Sequence, residues 1–218
     1  MTAFLMVLAV AAEAYLLGSV DTGILVSKYL YHDDVRTHGS GAAGMTNMLR
    51  TFGKKAAALT AVGDVLKGVV AVCLGRWLFS HLPADAAISP YLGVYLAAIL
   101  AVVGHSKPIY FGFKGGKGIL CSGTLLLLLD WRIALVGWGA FVVLWLTTRY
   151  VSLGSVSAAA VFPVMTHVVF GDAFATAFSV LIAALVLFAH RENIKRLLNG
   201  TENKFRFHVN APKSEGEA

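Results

Sequence analysis

Four segments of this sequence carry residue types suited to holding anions. The first, Gly39-Ser40-Gly41-Ala42-Ala43-Gly44-Met45-Thr46-Asn47, is followed by Arg50. Glycines let successive backbone N–H groups converge on an anion with no Cβ in the way. Ser40 and Thr46 add hydroxyl donors, and Arg50 adds a planar fork suited to phosphate oxygens. The spacing also fits G-x-G-x-x-G, but no strand precedes it and no βαβ unit follows, so dinucleotide binding is not supported. The second segment, Phe113-Lys114-Gly115-Gly116-Lys117-Gly118, leads straight into an apolar run. A glycine turn at a helix N-terminus is a ready anion site, and two lysines strengthen it. It is not a P-loop, because Gly118 rather than Ser or Thr follows Lys117. Nucleotide hydrolysis is therefore not indicated.

The third segment, Arg149-Tyr150-Val151-Ser152-Leu153-Gly154-Ser155, offers hydroxyls and a cation. The fourth opens at His190, with Asn193 three residues on and so on the same helical face. Asp64 and Lys67 lie inside an apolar run at i, i+3, where they can pair. Ionisable residues at such depth are costly, so the pair is either a structural brace or part of a site, and Glu13 and Asp21 raise the same question. His167 and Asp172 have the H-x4-D spacing of a large acyltransferase class, but they fall at the far end from every glycine loop, and we read the match as coincidence. Cys73 and Cys121 show neither metal-ligand spacing nor a disulfide framework.

The elements that must position these residues are membrane helices. The 218-residue chain is 57% hydrophobic and only 14% charged, with a mean hydropathy of +0.72. Soluble domains carry about 25% charged residues, so an ordinary soluble domain is excluded. Apolar runs fall at about 3–27, 56–80, 91–105, 118–130, 132–148, 155–170 and 173–190. At roughly 20 residues per crossing they predict an all-α polytopic bundle of about seven spans, the fourth being short for a full crossing. The N-terminal run lacks a preceding Lys or Arg and reads as the first span rather than a cleaved signal peptide. Residues 1–204 form one membrane domain in this reading; 205–218 form a polar tail, disordered toward Ala211–Ala218.

The net charge of +6 resides mostly in the loops at about 28–54, 106–117 and 149–154 and in the tail, not in a nucleic-acid face. Lys and Arg mark cytoplasmic loops, so an odd span count places these segments inside and the N-terminus outside.

In this order and spacing, the segments resemble the bacterial acyl-phosphate-dependent glycerol-3-phosphate acyltransferase family, often called PlsY. The resemblance runs from about Gly18 to Lys204. It takes in Asp64-Val65-Leu66-Lys67-Gly68, Gly104-His105, and His190 through Gly200-Thr201-Glu202. It implies a small polytopic enzyme of the bacterial plasma membrane that uses no metal or organic cofactor. Such an enzyme consumes acyl-phosphate and makes lysophosphatidic acid for phospholipid synthesis, and a soluble acyl-phosphate-producing enzyme becomes its metabolic neighbour. Residue by residue, Ser40, Arg50, Lys114, Ser155, His190 and Asn193 resemble the family's active-site positions. Gly115 and Gly116 match its phosphate-loop glycines. Gly39, Gly41, Thr46, Asn47, Lys67 and Lys117 complete the expected substrate-binding set.

Three positions depart from the family pattern: Ala42 replaces an Asn, Asp21 a Pro, and Lys107 an aromatic residue. Ala42 removes an amide donor and acceptor from the expected site. Two competing readings follow. One is a small organic-phosphate transporter, which the intramembrane Asp64 and Lys67 would suit, although no internal repeat is visible. The other is an impaired or acceptor-altered paralogue, supported by Ala42 and Asp21.

Overall fold

The computed structural model describes residues 2–82 and 91–205. Within them every regular element is helical: α1 (Thr2–Ser19), α2 (Thr22–Leu30), α3 (Met45–Phe52), α4 (Lys54–Ser80), α5 (Leu92–Ser106), α6 (Ile119–Leu129), α7 (Trp131–Thr148), α8 (Val151–Phe170), α9 (Ala173–Ala189) and α10 (Arg191–Leu198), with two short 3-10 turns. All seven apolar runs are helices. Among the described residues, five helical segments are long and apolar enough to cross a membrane, or six with α9 and α10 taken as one span bent by 63°. At 1.5 Å per residue α6 is about 16 Å long, roughly half of a 30 Å hydrocarbon core, so the fourth run is a half-length helix. The tail residues from 206 onward lie outside the described part of the chain.

The first apolar run is broken rather than continuous. Asp21 leaves helical geometry (φ −86°, ψ 103°) and accepts a hydrogen bond from the Ile24 N–H at 3.2 Å, capping α2. An apolar run does not show such a break; a capping carboxylate creates it by satisfying a backbone donor that the helix start exposes. Loop one also contains the two-turn helix α3, which the glycines preceding it obscure in the sequence.

α1 lies against α4 and α5, while α8 lies between α7 and α9. Contact between α1 and α5 is at backbone distance. A Cβ on Gly18 would fall 2.3 Å from the Ala101 carbonyl oxygen, and one on Gly104 would fall 2.4 Å from that of Tyr15. Small residues at such crossings replace the missing hydrophobic drive in lipid with close packing. Val72, Tyr95, Leu125, Ile133 and Phe162 fill the interior, while Phe4, Val62, Leu127, Leu135 and Val168 point outward, as a bilayer-facing surface requires.

Four ionisable residues are buried where α2, α4 and α5 meet. Lys67 Nζ lies 2.9 Å from Asp64 Oδ1, an ion pair outside hydrogen-bond alignment. The same ammonium donates to the Val20 carbonyl at 3.0 Å and to His105 Nδ1 at 2.7 Å. Asp21 Oδ2 is 3.8 Å from that Nδ1. Lys67 therefore closes the gap in the α1–α2 break, where the Val20 carbonyl would otherwise lack a partner. Glu13, in α1, is half-buried, and its two carboxylate oxygens are buried without a hydrogen bond.

Candidate active site

Loop one is shaped by a single amide. Asn47 Oδ1 accepts from the Ser40 N–H at 3.1 Å, while Nδ2 donates to the carbonyls of Val35 (3.1 Å) and His38 (3.0 Å). Gly39 makes this fit: it has φ +55°, and a Cβ there would fall 2.2 Å from Asn47 Oδ1. Both Nδ2 protons and Oδ1 are engaged, so Asn47 organises the loop that presents Ser40, Thr46 and Arg50. Arg36 ties this loop to loop two, donating to the carbonyls of Phe111 (2.7 Å) and Lys114 (3.1 Å). The Arg36 hydrogen bond also holds the Asp34 carboxyl down at about 2.

Loop two folds back onto the end of α5. The Gly116 N–H donates to the His105 carbonyl at 3.0 Å, and a Cβ on Gly116 would fall 2.2 Å from His105 Nε2. Gly115 is equally tight, with a Cβ position 2.1 Å from the His105 carbonyl oxygen. The buried Asp64–Lys67–His105 group therefore supports the glycine turn from below. Beyond that turn, Lys117 enters the interior and donates to Asn193 Oδ1. Burial pushes its pKa down to about 8, against the pull of the Glu202 charge.

Glu202 joins the tail to α8 and α10. Its Oε1 accepts from Ser152 Oγ (2.9 Å) and Asn193 Nδ2 (2.8 Å), and its Oε2 accepts from Arg196 Nε (2.7 Å). Arg50 reaches the Asn203 carbonyl at 3.4 Å, and the Phe205 N–H donates to the Arg149 carbonyl at 2.7 Å. At the α9–α10 bend His190 Nδ1 lies 2.8 Å from the Val186 carbonyl. A carbonyl only accepts, so Nδ1 carries the proton and Nε2 is left as an acceptor. Ser155 Oγ donates to the Val151 carbonyl at 3.0 Å.

These segments enclose a cavity of about 340 Å³. The loops, α8 and the tail give it Ser40, Arg50, Lys117, Ser155, His190 and Asn193, while α6 and α7 give it Ile119, Leu120, Trp138, Phe141 and Trp145. Of the expected catalytic set, five residues line it and Lys114 does not. Lys114 is exposed on the outer side of the glycine turn, with its carbonyl held by Arg36. Lys117, on the other side of the turn and in the expected substrate-binding set, lines the cavity. Thr46 and Asn47 also line the cavity, whereas Gly39, Gly41, Gly115 and Gly116 shape its loops and Lys67 stays in the brace.

The Ala42 position faces the cavity as well, so the family's missing amide would have stood inside it. Residues absent from the expected set are Glu202, Ser152 and the aromatic wall of α7. The H-x4-D pair stands apart: Asp172 caps α9 by accepting from the Ala175 N–H at 2.7 Å. His167 lies twelve residues along α8 from Ser155, about 18 Å away.

A cation-rich rim over an aromatic wall, set in a helical membrane bundle, defines a class of protein that brings a small anion together with a lipid chain. Within that class the chain belongs to the glycerol-3-phosphate acyltransferase family, whose model matches residues 8–200. A glycerol-3-phosphate acyltransferase of Clostridioides difficile (strain 630) is 42% identical over 195 residues, spanning 89% of this chain and 93% of the relative. That of Neisseria meningitidis serogroup B (strain ATCC BAA-335 / MC58) is 44% identical over 199 residues, spanning 88% and 94%. The crystal structure of PlsY (YgiH), an integral membrane glycerol 3-phosphate acyltransferase in its glycerol 3-phosphate form, superposes with a TM-score of 0.81. It is 32% identical, and the match covers 92% of this chain and 96% of that one. Its lysophosphatidic acid form gives 0.78 at 31% identity, covering 92% and 95%.

Proposed function

We propose that this protein transfers a fatty acyl group from an acyl-phosphate to the 1-hydroxyl of glycerol 3-phosphate, yielding lysophosphatidic acid and inorganic phosphate. The observation that carries this reading is the single cavity in which Arg50 and Lys117 face the aromatic side of α7. One substrate is a small phosphate, and the other is a phosphate on a long apolar chain. Both need cations at one end, and only the donor needs the aromatic wall.

The donor is already activated, so the protein mainly has to position two anions and one hydroxyl. Arg50 and Lys117 hold phosphate oxygens. Ser40 and neighbouring loop-one N–H groups donate to the carbonyl oxygen as negative charge grows on it. Preorganised donors of this kind contribute about 3 kcal/mol each. His190 Nε2 accepts a hydrogen bond from the attacking hydroxyl and, with Asn193, orients it. The glycerol O1–acyl carbon bond forms as the acyl carbon–phosphate oxygen bond breaks, and the hydroxyl proton leaves on the released phosphate. Lys114, exposed outside the cavity, attracts anionic substrates without touching the reacting atoms.

The positive loops and tail gather at one end of the bundle, which supports a cytoplasmic active-site face in the bacterial plasma membrane and an external N-terminus. A soluble acyl-phosphate-producing enzyme supplies the donor in this scheme. Transport is disfavoured, since the anion-holding loops converge at one end only.

Detergent-purified protein given palmitoyl-phosphate and glycerol 3-phosphate should form lysophosphatidic acid, with product falling sharply in Ser40→Ala and Lys117→Met. Well-folded protein that makes no product would overturn the reading.

A further inference from the structure

A second, smaller space adjoins the cavity. About two turns deeper, a void of about 30 Å³ lies among α6, α7, α8 and α9, walled by Gly123, Ala158, Phe162 and Ile182 among others. Ser155 lines the upper cavity and Phe162 the lower one, a separation of seven residues or about 10 Å along α8. Ile119, Trp138 and Phe141 line both spaces. Trp138 is fixed between them: its Nε1 donates to the Gly123 carbonyl at 3.3 Å. The indole also lies on the bare Cα of Gly123, where a Cβ would fall 2.6 Å from the ring. The lower void holds about one water-sized group, so the indole stands where the space along the aromatic wall narrows.

Resting on the acyl-phosphate reading above, we propose that Trp138, seated on Gly123, sets the upper limit of acyl-chain length. The donor's phosphate sits among the loop cations, its chain runs along Ile119, Phe141 and Trp138, and its terminal methyl meets the indole. Each methylene that gains burial contributes about 0.8 kcal/mol, a factor of roughly four. Moving the indole by even one methylene should therefore alter discrimination measurably. The two residues predict opposite shifts. Trp138→Ala joins the voids and admits longer chains, whereas the Cβ of Gly123→Ala pushes the indole up into the cavity and shortens them.

The test measures kcat/KM for acyl-phosphates of stepped chain length, from short saturated to long, at saturating glycerol 3-phosphate, in both variants and the parent. Trp138→Ala is expected to raise the ratio of long-chain to short-chain kcat/KM at least tenfold. Gly123→Ala is expected to lower it by several-fold. The KM for glycerol 3-phosphate should stay within twofold in both. An unchanged length profile in an active Trp138→Ala protein overturns the ruler while leaving the proposed function standing. Should Trp138→Ala fail to fold, an unchanged profile in Gly123→Ala overturns it equally. Parent protein that uses no acyl-phosphate of any length removes the function and the ruler together.

Discussion

The brace between α2, α4 and α5 and the rim of the cavity both bury charge, yet they dispose of it differently. In the brace, Asp21, Asp64, Lys67 and His105 are each at most 7% exposed and face one another. Two carboxylates surround one ammonium, and the ammonium also satisfies a backbone carbonyl. At the rim the balance is reversed. Arg50, Lys117 and Arg196 gather around one carboxylate, Glu202, which is already engaged with Ser152, Asn193 and Arg196. Cations are in excess there, and that excess suits a phosphate. Burial of charge alone thus does not mark a site; what sets the rim apart is an excess of cations facing the cavity.

The comparison breaks most visibly at Lys117. Lys117→Met should cut kcat/KM by about a thousandfold, some 4 kcal/mol of transition-state stabilisation, while leaving the protein folded and slightly more heat-stable. The sign follows from burial, since the folded pKa of about 8 lies below the usual 10.5. The unfolded chain binds the extra proton between those values, so the lysine's stability cost is full below pH 8 and lifts as pH rises toward 10.5. The Tm difference between variant and parent should narrow across that window. Substrate affinity should fall above pH 8 in the parent and stay flat in the variant.

Asp64→Ala acts on the other region. It leaves the buried Lys67 ammonium without its carboxylate, and about 3 kcal/mol of stability should be lost, read as a lower Tm in detergent.

Ala42→Asn sharpens the contrast from the rim side. It returns an amide to the cavity wall and should lower the KM for glycerol 3-phosphate by up to about tenfold, the worth of one hydrogen bond to a charged group. No change in KM would show that the amide is not limiting. Smallest of all, Lys114→Ala should change kcat/KM less than about twofold at physiological salt, because an exposed charge outside the cavity is screened. A thousandfold loss there would mean that the two lysines had been assigned to the wrong sides of the turn.

Much of this architecture is legible in the sequence because lipid imposes simple rules. Each of the seven apolar runs is helical, although the first is divided between α1 and α2 and the fourth is half-length, and the i, i+3 spacing of Asp64 and Lys67 predicted a pair that lies 2.9 Å apart. His190 and Asn193 both line the cavity, as their shared helical face suggests. What could not be read depends on contacts between distant segments. Lys114 and Lys117 flank the same two glycines and are equivalent in composition; only the packing of those glycines on His105 decides which one turns inward. Glu202 looks like any acidic residue of a polar tail until Ser152 and Asn193 are brought against it. The break before α2 was hidden because a capping aspartate in an apolar run reads equally well as a buried charge.

The hydrogen bonds of the tail have a consequence for how the enzyme is made. Glu202 and the Phe205 N–H follow every described membrane helix in the chain, yet they fasten Ser152, Asn193 and Arg149. Chain order therefore separates two steps: the helices come first, and the contacts that fasten the site from the tail side follow them.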